Sequence, residues 1–245
     1  MMSCGGGGTA PAKAPPVQTP ITVDEVRILV IGQSILSNCN EFSYGPVANV
    51  FQIGRDGATK EARDPFEWAD CAKGSMWMPL GQKIIEGAVA KKVVFMPIGV
   101  ASTKVQDRQQ GGSAFGKLND AIALIKENGL AFDLGLWHQG SADFGMSKQE
   151  YQTRLLSVID YVNKNLTIKR WLIGIHSRCG ATYDREVEAA QVAVGNAASA
   201  GRYPGANTNL LGNEYRFDKC HLNKLGQEEM ATMWVEAIKS ANARQ

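Results

Sequence analysis

The sequence predicts an open, doubly wound α/β domain: a three-layer α/β/α sandwich around a central, mostly parallel sheet of five strands. Short apolar runs alternate with longer segments of helical period, the pattern of a parallel sheet covered on both faces. At 245 residues the chain is long enough for one sizeable α/β domain and short for two. Polar, chemically able residues gather at the carboxyl ends of the apolar runs, where ligands sit in such sheets.

Taken in order, the chain opens with a segment of another kind. "CGGGGTAPAKAPPVQTP", residues 4–20, is rich in Gly, Ala and Pro with a single charge, so it cannot bury a core and reads as a flexible tether. Its start, "SCGGGG", resembles the mature end of a bacterial lipoprotein, in which the cysteine, here Cys4, carries the lipid. The apolar segment of a signal peptide does not precede it, which implies a trimmed chain. A disordered leader is the alternative. Either way residues 1–22 stand apart from a single domain over 23–245.

Candidate strands are "VRILVIG" (26–32), "KVVFMPIG" (92–99), "FDLGLWH" (132–138) and "RWLIGIH" (170–176). The stretch 40–76, with many Gly, Asp and aromatic residues and little period, reads as a long loop that shapes a site. "LNDAIALIKENG" puts Leu118, Ile122 and Ile125 on one helical face and stops at Gly129. "SKQEYQTRLLSVIDYV" opens with Ser147 and Glu150 in capping-box spacing and stripes Tyr151, Leu155, Val158 and Val162 along one face. "NKLGQEEMATMWVEAIKSA", residues 223–241, closes the chain as a long helix.

A formal charge of +2 and the lack of a Lys/Arg-rich run argue against nucleic acid as a partner. No apolar segment approaches the roughly 18 residues of a membrane span. No two of the three histidines have metal-ligand spacing, so neither a catalytic zinc nor another cofactor is expected. Apart from Cys4 there are four cysteines, none in C-x-x-C spacing. In an exported protein two disulfides are expected, and of the three pairings open to four cysteines the favoured one is Cys39–Cys71 with Cys179–Cys220, since the second bridge would tie together two loops near the site; in a cytosolic protein they would be free thiols.

Ser34, in "VRILVIGQSILSNCNE", follows the first strand without a G-x-S-x-G elbow, since Leu36 stands where the second glycine would be. Nucleophilic acyl transfer needs a hydroxyl, a base, a carboxylate to orient that base, and donors for the oxyanion. Among His138, His176 and His221, only His221 has a carboxylate at short range, Asp218 three residues earlier. On spacing alone, Asp218 equally fits a helix cap and His221 a solvated surface residue. His138 and His176, at strand ends, suit packing or the lining of a pocket. Gln139 offers a side-chain amide for the oxyanion, and Gly140 after it allows close approach. The loop "PIGVAST" can add a backbone N–H.

These residues together resemble the SGNH-hydrolase superfamily, in its sialate O-acetylesterase and acetylxylan-esterase-like branch. "IGQS", "WHQGSAD" and "DKCHLNKLGQ" match blocks that read about G-Q-S-N, W-x-Q-G-E-x-D and D-x-x-H-L-N-x-x-G, and the likeness spans most of 26–238. The resemblance implies a flavodoxin-like fold with Ser34 as nucleophile, His221 as base and Asp218 as its orienting acid. It implies oxyanion donors from Ser34 N–H and Gln139, with Ser102 aligned to the oxyanion glycine and Gly99 as the alternative. Gln33, Gly99, His138 and Gly140 are expected to line the substrate pocket. Three positions depart from the pattern: Ile35 replaces an asparagine, Ser141 the block glutamate, and Arg108 a tryptophan in "GVASTKVQDR". The implied function is an exported, periplasmic or surface, serine esterase that removes O-acetyl groups from a carbohydrate. An O-acetyltransferase and a lapsed sugar-binding module are the alternatives.

Overall fold

A computed structural model describes residues 22–243. The expected tether and its Cys4 lie outside the described residues. The chain runs β1 (Val23–Gly32), β2 (Val50–Ile53), β3 (Thr59–Glu61), α1 (Trp77–Glu86), β4 (Ala90–Gly99) and α2 (Phe115–Glu127). It continues through β5 (Phe132–His138), α3 (Lys148–Asn165), β6 (Ile168–Ile175), α4 (Arg185–Gly195), β7 (Arg202–Asn207) and α5 (Lys224–Asn242). The sheet has seven strands in the order β3-β2-β4-β1-β5-β6-β7, rather than the expected five. Only β3 runs antiparallel, against β2.

The four strands legible in the sequence are the central ones. β1 pairs in parallel with β4 on one side and β5 on the other, so Ile28, Leu29, Val30 and Ile31 are all buried. Both faces of such a strand are covered, which is why it reads as an unbroken apolar run. Pro97 interrupts β4 without harm. It pairs with Val30 of β1, while the β2 ladder ends at Phe95. Beyond that point no neighbour on the β2 side needs the missing N–H.

The segment 40–76 is not wholly a loop, since it carries β2 and β3. Both are short, and two of the three residues of β3 are charged, so no apolar run marks them. β7, "RYPGAN", is an edge strand containing Pro and Gly; its partial exposure removes the apolar signature.

Two cores flank the sheet. On one face Trp77, Leu80 and Ile84 of α1 pack with Met230, Trp234 and Ile238 of α5. On the other, α2, α3 and α4 bury Leu118, Ile122, Tyr151, Leu155, Val158, Val187 and Val194. The Ser147 side chain accepts from Glu150 N–H at the start of α3, as the capping spacing predicts. Trp234 is fully buried, and truncating such a side chain to alanine costs about 3–5 kcal/mol. The layers leave the carboxyl ends of β1, β4, β5 and β6 side by side, and the site is built there.

Candidate active site

β1 ends at Gly32, where an added Cβ would lie 2.4 Å from His138 O. Only glycine lets the chain turn this close to β5. The turn that follows, Ser34–Leu36, is closed by Leu36 N–H to Gln33 O and Ser37 N–H to Ser34 O. Trp77 Nε1 holds Leu36 O at 3.2 Å, and Asn40 Nδ2 holds Ile35 O at 2.9 Å. Ser34 is thus fixed at the head of the central strand and keeps 7% exposure.

The second part of the site is the turn before α5. Asp218 Oδ1 accepts from the N–H groups of Cys220 and His221, and its Oδ2 lies 2.7 Å from His221 Nδ1. Burial raises the Asp218 pKa, but these hydrogen bonds, led by the His221 side chain, outweigh it and hold the carboxyl below its usual value. An ionised Asp218 accepts a proton from His221 Nδ1, which leaves Nε2 as the nitrogen free to accept one. The His221 side chain remains a quarter exposed.

Three ties place this turn. The Cys179–Cys220 disulfide joins it to the loop after β6, and Gly180 N–H donates to Lys219 O at 2.9 Å. Arg216 donates to the carbonyls of Thr208, Leu211 and Cys220. On the opposite side Leu222 N–H donates to Asn40 Oδ1 at 3.1 Å, and Glu41 N–H to Leu222 O at 2.9 Å. One carboxamide, that of buried Asn40, therefore holds the residue after Ser34 and the residue after His221. The second bridge, Cys39–Cys71, pins the chain beside Asn40. Both disulfides pair as the sequence suggested.

The block after β5 is arranged differently from expectation. Gln139 is fully buried. Its Nε2 donates to Thr103 O at 2.8 Å and to Asp143 Oδ2, while Tyr151 O–H reaches its Oε1 at 3.1 Å. Both amide protons are committed, so Gln139 is not an available oxyanion donor in this structure. Asp143, four residues on, claims that amide and also accepts from Val105 N–H. Burial is the main influence on Asp143 and pushes its pKa up to about 6.

Gln33 also differs from a substrate contact. Its Nε2 donates to Ser141 Oγ at 2.6 Å and its Oε1 accepts from Gly140 N–H at 2.9 Å. It ties the Ser34 turn to the β5 loop, and Gly140 serves as its partner. Gly99 is packed against Ser37, and its carbonyl accepts from Asp70 N–H and Lys117 Nζ. Ser102 is exposed and holds φ +56, a left-handed conformation that favours glycine. Among the described residues, neither Ser34 N–H nor Ser102 N–H is taken by a protein acceptor.

His138 lies beneath this surface, fully buried, and does not line a pocket. Its ring stacks on His176 at 4.5 Å, and both rings reach one hydroxyl: His138 Nε2 at 2.8 Å and His176 Nδ1 at 3.1 Å from Thr208 Oγ1. Thr208 gives its own proton to Ile175 O at 3.2 Å, so both rings donate to Thr208. His138 Nδ1 and His176 Nε2 are then unprotonated acceptors, and neither has a hydrogen-bond partner. Burial lowers the His138 pKa to about 3 and that of His176 well below the ordinary value. The pair is neutral. Arg108 is buried beside β1 and donates Nη2 to Gly32 O, with Nε and Nη1 unpartnered; burial lowers its pKa to about 10.

Among the described residues no cluster of three or more His, Cys, Asp or Glu has the arrangement of a metal site, and no helix is long and apolar enough to cross a membrane.

The family model for carbohydrate esterase, sialic acid-specific acetylesterase, matches residues 31–240. No curated protein matches the sequence. Solved structures share the fold at low identity. A protein from Arabidopsis thaliana superposes with TM-score 0.64 at 13% identity, over 87% of this chain and 98% of that one. NanS gives 0.59 at 12%, over 92% and 100%. The family 3 carbohydrate esterase of Clostridium thermocellum gives 0.54 at 12%, over 90% and 98%.

Proposed function

The chain belongs to the sialic acid-specific acetylesterase family of carbohydrate esterases and is a carboxylic-ester hydrolase, and from that premise we propose that Ser34 forms an acyl-enzyme with the O-acetyl group of a carbohydrate. The observation that carries this reading is the Asp218–His221 pair, tied to the Ser34 turn through Asn40. Asp218 orients His221, whose Nε2 takes the Ser34 proton as Oγ attacks the acetyl carbonyl. The N–H groups of Ser34 and Ser102 hold the developing oxyanion. Collapse breaks the bond to the sugar oxygen, which receives the proton from His221. Water, deprotonated by His221, then attacks the acyl-enzyme and releases acetate and free Ser34. Gln139 has no part in this scheme as a donor; it supports the β5 loop.

The two disulfides support a protein exported to the bacterial periplasm or cell surface, and Cys4 supplies a lipid anchor in that reading. Residues 23–245 act as one esterase domain.

Acetate release from a panel of acetylated glycans tests the activity, with Ser34→Ala as control. A serine-directed fluorophosphonate should label Ser34 in the wild type. A protein that neither labels nor hydrolyses p-nitrophenyl acetate would sink the acyl-enzyme mechanism.

A further inference from the structure

Two large aromatic side chains stand exposed beyond the carboxyl ends of β5 and β6: Phe144 at 63% and Tyr183 at 37%. Exposure alone is ordinary for one apolar residue. The backbone beneath them is unusually well held. Met146 N–H donates to Asp143 O at 2.9 Å, closing a turn with Phe144 at φ −49, ψ 128 and Gly145 at φ +88. These are the angles of a type II turn, whose third position calls for glycine and whose second holds Phe144 at the tip. Asp143, buried and hydrogen-bonded, anchors one side, and Met146 packs on the core at the other.

Tyr183 is linked to that turn through its neighbour. Asp184 Oδ2 accepts from Gly145 N–H at 2.7 Å, while Oδ1 caps α4 through Glu186 and Val187 N–H. Ser177 Oγ donates to Asp184 O at 2.9 Å, closing the β6 loop. One buried carboxylate thus fixes both aromatic loops together.

Other aromatic rings near the site have ring or cation partners. Phe42 has Tyr44 at 4.8 Å and the Lys224 ammonium at 4.7 Å; Phe217 has His221 at 6.1 Å and Lys73 at 4.7 Å. Among the described residues Phe144 and Tyr183 have no aromatic or cationic partner. Their loops lead into α3 and α4, whereas the Asp218–His221 turn leads into α5 on the opposite face of the sheet. Ser34 heads the strand between, and Gln33 joins it to Ser141, three residues before Phe144.

We propose that Phe144 and Tyr183 form a sugar subsite, stacking their ring faces on the apolar face of the pyranose that bears the acetyl ester. The inference rests on the carbohydrate-esterase reading above. Rigid aromatic rings offer contact area at low cost in side-chain entropy, and the page of C–H groups on a pyranose is the surface they match. The acetyl group enters toward Ser34 while the ring lies against the wall opposite His221.

The test compares an acetylated glycan with p-nitrophenyl acetate, an ester without a sugar, in the wild type and in Phe144→Ala, Tyr183→Ala and the double variant. Each single change should raise KM for the glycan roughly three- to tenfold, the range of one aromatic contact, with kcat held. Kinetics on p-nitrophenyl acetate should not change. Phe144→Trp should keep the low KM, and Phe144→Leu, apolar but without a ring face, should not. An unchanged glycan KM in the double variant, or full rescue by leucine, overturns the subsite. A wild type that cleaves p-nitrophenyl acetate but releases acetate from no glycan overturns the carbohydrate reading, and the subsite with it. That outcome is distinct, because it is read in the wild type alone.

Discussion

Leu222 N–H donates to the side chain of Asn40 across 182 positions of sequence. The other end of the same carboxamide donates to Ile35 O, so one buried amide bridges the Ser34 turn and the His221 turn. Asn40→Ala removes both bonds and leaves two buried backbone groups unpaired, at about 1–3 kcal/mol each. Activity should fall further than this implies, by roughly 100-fold in kcat, because a misplacement near 1 Å is that damaging. Asn40→Asp keeps the acceptor for Leu222 and loses the donor to Ile35, and should fall between. Fluorophosphonate labelling rates and kcat, read beside Tm, check the order.

Gln139→Ala should be chiefly a stability variant. Its amide binds Thr103 O and Asp143, so its loss strands buried partners and should cost about 1–3 kcal/mol. The fall in kcat should stay short of the roughly 100- to 1000-fold typical of a lost oxyanion donor. Ser34→Ala should abolish turnover with Tm unchanged. A Gln139→Ala enzyme with wild-type Tm and a 1000-fold lower kcat would return the amide to the oxyanion.

Asp143 sets a pH dependence. Burial raises its pKa from 3.8 to about 6 in the fold, so the unfolded chain releases this proton more readily. Its contribution to stability is fully present below about pH 4 and is lost as pH rises through 6. The full change corresponds to roughly 3 kcal/mol. Thermal melts of the wild type and Asp143→Asn across pH 4–7 should therefore converge as pH rises. The variant will be weaker overall, since its amide cannot accept from both Val105 and Gln139. A constant difference across the range would contradict this assignment.

The Cys179–Cys220 bridge adjoins His221 in sequence. A dithiol reductant that converts it to two thiols should lower kcat about tenfold or more, through misplacement of the base. Cys179→Ser should reproduce the loss and make the activity insensitive to further reduction at this bridge. Tm of the reduced and oxidised forms separates this from unfolding.

The central strands could be read directly because burial on both faces leaves them wholly apolar, as in "ILVI" of β1. α1 was hidden by Pro79 and Gly81 within it, and β7 by its edge position. The Asp218–His221 pair was visible because its geometry is local, set within four residues. Asn40 was not, since its partner Leu222 lies 182 positions away in the chain. Gln139 was misjudged for a related reason: which way its amide points depends on Asp143, and the short turn that brings Asp143 round carries no periodic signal. Ser102 aligned with a glycine, and its left-handed φ agrees with that alignment.

The Asn40–Leu222 link has a consequence for biosynthesis. In the proposed mechanism the nucleophile Ser34 is synthesised well before its base His221, so a nascent chain that holds Ser34 and all seven strands but stops short of Asp218 still lacks a general base. In that scheme the site is complete only once the Asp218–His221 turn has met Asn40. Until then the growing polypeptide cannot cleave an ester by this route, whatever fraction of its core has already formed.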